Sequence, residues 1–179
     1  MKSSFDLLFG TPKELEFLEK EFDFKLDPDH FIKWLAAEGQ EITGDYRHDV
    51  GSMCEYSCLY IAMLLSDKQL KGNMKIYYGD FGFFEHYWIG YTIDGIEYFI
   101  DLTLQQFDKN APKLAIVKAI NEKVSGCYSY LSEGESPQEY LKRKEAFKFY
   151  SNPITMAPAP YKIPEFKLNT LHLNDPLLD

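Results

Sequence analysis

Cysteine is scarce: Cys54, Cys58 and Cys127 are the only three. An odd number this small excludes the disulfide framework of a small secreted domain and leaves at least one free thiol. Basic residues are outnumbered, with 19 Lys and Arg against 28 Asp and Glu and a net charge of −9. That balance argues against nucleic acid and against a membrane surface, because phosphate contacts are made largely by Lys and Arg. It suits a protein or peptide partner that is basic or neutral. No apolar run approaches the length of a membrane span, and the N-terminal MKSSFDLLFGTPKELEF has none long enough for a secretion signal. A cytoplasmic protein is expected, with delivery to another cell by a route that reads other features left open. There is no phosphate-cradling glycine loop, no dinucleotide fingerprint, no internal repeat and no low-complexity tract.

What is present is a chain of 179 residues, 45% hydrophobic and 16% aromatic, enough for one domain with a substantial core. The most informative stretch is 51–67, GSMCEYSCLYIAMLLSD. Ser52 followed three residues later by Glu55 reads as a capping box, which predicts a helix starting at Met53. From Cys58 to Leu65 every residue is apolar, so this is expected to be the buried central helix. Cys54 falls in its first turn, where amides lack intrahelical partners and the helix dipole favours negative charge.

Ahead of it, residues 11–22 read as a helix with Thr11 as cap, Pro12 at the first position and Glu14 closing a second capping box. Residues 27–37 read as another, with Phe31, Trp34 and Leu35 on one face. Both are expected to lie outside the central helix, and the polar segment 39–51 reads as a loop. After the helix, 73–78 predicts a strand, 113–119 fits a strand or the start of a helix, and 136–149 reads as a surface helix with Pro137 in its first turn. Five of the nine prolines, at 153, 158, 160, 164 and 176, fall in residues 151–179 and predict an extended tail. Its Tyr161, Ile163, Phe166, Leu168, Leu171 and Leu173 give it enough apolar surface to pack along the domain or to hold a homo-oligomer together.

The second informative stretch is 85–107, EHYWIGYTIDGIEYFIDLTLQQF. Asp94-Gly95 between two aromatic and β-branched runs is the signature of a type I′ turn and a tight antiparallel hairpin. With those two residues as the loop, Ile93 faces Ile96, Trp88 faces Asp101 and His86 faces Thr103. His86 and Asp101 therefore share a face as diagonal neighbours, within roughly 7 to 8 Å by Cα. Trp88 reads as hairpin packing, and His30, His48 and His172 as surface or loop residues.

A cysteine at a helix start, a histidine and an acid able to orient it have the logic of nucleophilic catalysis. Cys54 would attack, His86 would move the proton, Asp101 would hold the imidazole, and the Cys54 amide could serve an oxyanion hole. Cys58, one turn on, reads as a core residue. A metal site of Cys54, Cys58, His86 and Cys127 is the weaker reading, since structural zinc favours knuckle turns over an apolar helix. The expectation is no metal and no cofactor.

The cysteine on the buried helix, the run HYWIGY and the strand ending FIDLTLQQF resemble the papain-like and transglutaminase-like superfamily. The D-L-T-x-x-Q-F ending is most similar to papain-fold bacterial toxin and effector domains, several of which are glutamine deamidases. The resemblance covers residues 51–107. It implies an α+β fold, a buried helix on an antiparallel β-sheet, with residues 1–150 as the catalytic domain. It also implies Cys54 as nucleophile, His86 as base and Asp101 as orienting acid. The family's Gly-x-Cys reads here Gly-Ser-Met-Cys, one residue longer, and its oxyanion glutamine position is His48, with Gln105 and Gln106 as the alternatives for that element. The activities implied are peptidase, glutamine deamidase or transglutaminase; a scaffold used only for protein binding is the alternative.

Overall fold

The computed structural model describes residues 12–23, 25–65, 68–119 and 127–150. The reading of Thr11 as a cap and all readings of the tail at 151–179 lie outside them. Two helices come first, α1 (Pro12–Phe22) and α2 (Pro28–Ala37). Asp27 caps α2 by accepting from the Asp29 amide at 2.9 Å. Leu18, Phe22, Phe31 and Leu35 are fully buried, so each helix lays its apolar stripe on the core as the spacing predicts.

The segment expected to be a plain loop contains a one-turn helix, α3 (Tyr46–Asp49), capped by Asp45. The buried Asp49 carboxylate accepts from the Thr43 amide, the Thr43 hydroxyl and the Gly44 amide. Those bonds give the polar stretch a fixed shape without an apolar periodicity that a sequence reading could detect. The central helix α4 follows (Cys54–Leu65). Its Cys58, Ile61, Ala62 and Leu65 are buried, while Met63 is 48% exposed, so one side does reach solvent despite the apolar run.

Strands β1 (Asn73–Phe81), β2 (Phe84–Ile93), β3 (Ile96–Asp101), β4 (Ala115–Lys118) and β5 (Tyr128–Tyr130) form one sheet in the order β4-β3-β2-β1-β5, every pair antiparallel. The fold is thus α+β. The segment 113–119, open between strand and helix, is an edge strand. Ile76, Ile89, Ile100 and Ile116 stand in register across four strands and make the floor on which α4 packs. The opposite face carries Phe81, Trp88, Phe99 and Tyr128, covered by the segment around the 3-10 turn Leu104–Gln106. A last helix, α5 (Pro137–Tyr150), docks on α4. It is not a free surface helix: Tyr140 is fully buried and donates from its hydroxyl to the Glu55 carbonyl at 3.2 Å.

Candidate active site

The hairpin sets His86 against Asp101. Asp94 and Gly95 take φ of 50° and 76°, both positive as a type I′ loop requires. Ile93 pairs with Ile96 and Ile89 with Ile100, and the same register continued places His86 and Asp101 diagonally. Their side chains meet: His86 Nε2 donates to Asp101 Oδ2 at 2.6 Å, and both residues are buried. Asp101 is held in turn by Thr103, whose amide and hydroxyl donate to Oδ1 at 2.7 and 3.0 Å. The Tyr128 hydroxyl donates to Oδ2 at 3.3 Å. Two of these four donors are hydroxyls buried alongside the carboxylate, so it is solvated by protein rather than by water.

The other ring nitrogen, Nδ1, is buried and has no hydrogen-bond partner of good geometry. The side chain that acts on the ring from outside the Asp101 contact is Cys54. Burial works against a charge on His86, but the Asp101 carboxylate, by charge and by hydrogen bond, and then Cys54 outweigh it. The imidazole is pushed up to about 10. The ring therefore holds a proton readily while Nδ1 stays unengaged within reach of the thiol.

Cys54 is the first residue of α4, one position earlier than the capping-box reading places it. That box does not form. Ser52 adopts a left-handed conformation, with φ of 61°, and its amide donates to Gln106 Oε1 at 3.2 Å. Glu55 pairs instead with Lys144 of α5. Cys54 is half-buried, whereas Cys58 and Cys127 are buried and burial pushes both thiols up. Two of the three thiols are thereby held in their unreactive protonated form.

A cavity of about 370 Å³ opens on the side of Tyr78 and Tyr87, whose rings are in contact at 4.9 Å. None of Cys54, His86 and Asp101 lines it. Arg143 on its wall is gripped at Nε and Nη2 by Glu135.

The three residues singled out from sequence are thus brought to one end of the sheet. Trp88 is fully buried in the aromatic layer, as read. His48 sits on α3 with its ring largely exposed, so it supplies no buried donor to the site. Sequence reasoning missed the support around the site. Gln106, an alternative for the oxyanion amide, instead holds the Ser52 amide by its side-chain carbonyl while its Nε2 donates to Thr103 Oγ1 at 3.2 Å. Tyr128 arrives from β5, and no local pattern ties it to Asp101. Tyr46 donates to the Leu102 carbonyl at 2.7 Å and so pins the chain leaving Asp101. Among the described residues no three His, Cys, Asp or Glu side chains are grouped as a metal would require, and no helix is long and apolar enough to cross a membrane. Comparison with protein-family models, with characterised proteins and with solved structures gave no match.

Proposed function

We propose that this protein is a thiol-dependent hydrolase or acyltransferase acting on an amide of a protein or peptide, built on a papain-like or transglutaminase-like core. The observation that carries the reading is the setting of His86: Nε2 is bonded to Asp101 at 2.6 Å, Nδ1 has no partner of its own, and the other side chain acting on the ring is Cys54. That is the arrangement a base needs to take a proton at one nitrogen with its ring fixed by the other.

In the proposed reaction Cys54 Sγ, having already given its proton to His86, attacks the amide carbonyl carbon. The C–N bond breaks and His86 returns the proton to the departing amine or ammonia, leaving a thioester. Water or an amine then attacks the thioester carbon, His86 takes its proton, and the C–S bond breaks to restore the thiol. The Cys54 amide, at the first position of α4, has no intrahelical acceptor and is available to the developing oxyanion. Peptidase, deamidase and transglutaminase share the first half of this sequence and differ in the leaving group and acceptor.

The test is the alkylation rate of each cysteine, read by peptide mass spectrometry, in the native protein and in His86→Ala. Cys54 is expected to react at least tenfold faster than Cys58 and Cys127 at neutral pH, and to lose most of that advantage without His86. Three equally slow thiols, unaffected by His86→Ala, would overturn the catalytic reading and favour a scaffold that only binds.

A further inference from the structure

Ser52 lies two residues before the proposed nucleophile in a conformation that a side chain with a Cβ disfavours, φ 61°. The comparable Asp94 belongs to a type I′ turn with Gly95; Ser52 is the third residue of the turn Val50–Met53, closed by the Met53 amide to the Val50 carbonyl at 3.1 Å, a position with positive φ that glycine or asparagine usually fills. That turn is held from outside by Gln106, 8% exposed and drawn from the far end of the hairpin segment, whose Oε1 accepts from the Ser52 amide at 3.2 Å. The orientation of that side-chain amide follows from its partners, because a backbone N–H on one end requires the oxygen there.

The other end of Gln106 continues the connection. Nε2 donates to Thr103 Oγ1, that hydroxyl donates to Asp101 Oδ1, and Asp101 Oδ2 accepts from His86. The turn that feeds the chain into α4 is thus joined, through two side chains, to the carboxylate behind the base. We propose that Gln106 is a positioning residue of this site: by holding the Ser52 turn in its strained form it sets where Cys54 Sγ stands relative to His86 Nδ1. The inference rests on the reading of Cys54 as nucleophile. It assigns Gln106 no contact with substrate, since its oxygen and one of its N–H groups are already committed.

The experiment is the rate of Cys54 alkylation by iodoacetamide in the full chain, for the unaltered protein, Gln106→Ala, and Gln106→Ala combined with Ser52→Gly. Losing the bond is expected to slow Cys54 by about tenfold. Glycine adopts positive φ without the Cβ penalty, so the double variant is expected to recover most of that loss. Simple loss of packing at position 106 would not be repaired by removing a side chain at position 52. Because Gln106→Ala places a gap in a buried site, hydrogen exchange at the Ser52 amide in the unaltered protein serves as a second measure, with protection expected.

A Cys54 that is fast in the unaltered protein and equally fast in Gln106→Ala overturns this inference alone. So does a slow Gln106→Ala that Ser52→Gly fails to restore, or a Ser52 amide that exchanges like a free peptide. A Cys54 that is slow in the unaltered protein and indifferent to His86→Ala overturns the catalytic reading, and the role of Gln106 with it.

Discussion

His86 and Asp101, fifteen positions apart in the chain, share a buried 2.6 Å hydrogen bond because a two-residue loop fixes the register of the strands that carry them. The carboxylate at the end of β3 keeps one ring nitrogen occupied and the other free. The ring's tautomer, its orientation and its charge all depend on that contact.

Asp101→Asn keeps the shape of the side chain but removes the charge and puts an NH₂ group where one oxygen accepted. Either rotamer faces donors, since Thr103 and His86 with Tyr128 occupy the two oxygens. The variant is expected to slow Cys54-dependent turnover or alkylation by at least about a hundredfold, within the range that positioned acid–base groups contribute. Rates of Cys54 modification in the two proteins, with circular dichroism to establish that both are folded, check this.

The raised His86 pKa makes a prediction about stability. The imidazole's ordinary value is 6.5 and its folded value lies near 10, so the folded protein binds more protons than the unfolded chain between those limits. The contribution of His86 is fully present below about pH 6.5 and is lost as pH rises toward 10. One extra proton in the folded state corresponds to at most about a tenfold fall in the folding constant per pH unit. Chemical denaturation from pH 6 to 9 is expected to show stability declining with pH, and His86→Gln is expected to flatten that decline. The buried or half-buried tyrosines, also pushed up, act at higher pH than this window.

Gly79 faces His86 across β1 and β2. A methyl group there would lie 1.9 Å from the Ser129 carbonyl oxygen and 2.8 Å from the Trp88 ring. Neither the backbone of β5 nor the buried indole can yield cheaply, so Gly79→Ala is expected to destabilise by about 3 kcal/mol. By displacing β5 it also draws Tyr128 from Asp101. Gly95→Ala, where nothing lies within 4 Å but φ is 76°, is expected to cost only about 1 kcal/mol. Urea titrations of the two variants separate a steric cause from a conformational one.

The hairpin of β2 and β3 was legible because Asp-Gly is a local signal and strand alternation carries its consequences outward. The hairpin of β1 and β2 was not, since Gly79 and Asp80 look like breakers inside what is a nine-residue strand, and the strand is expected to stop at Tyr78. Two Ser-x-x-Glu patterns make the same point. At Ser136 the box forms, with the Glu139 carboxylate accepting from the Ser136 amide and the Ser136 hydroxyl accepting from the Glu139 amide. At Ser52 it does not, because Gln106 takes the amide and Lys144 takes the glutamate. Partners 54 and 89 residues distant decide the outcome, and no local pattern contains them. The residues that would do chemistry were readable as residue types at plausible spacings. The residues that hold them, Gln106, Thr103, Tyr128 and Tyr46, act through contacts made only after the chain is folded.

The clasp of α5 on the first turn of α4, through Tyr140 to the Glu55 carbonyl and Lys144 to the Glu55 carboxylate, has a bearing on synthesis. The cysteine leaves the ribosome some eighty residues before the helix that braces it. Until that helix has emerged and docked, a nascent chain carries the thiol without its final neighbours. The last helix of the described residues thus sets an interval between making the thiol and bracing the turn that carries it.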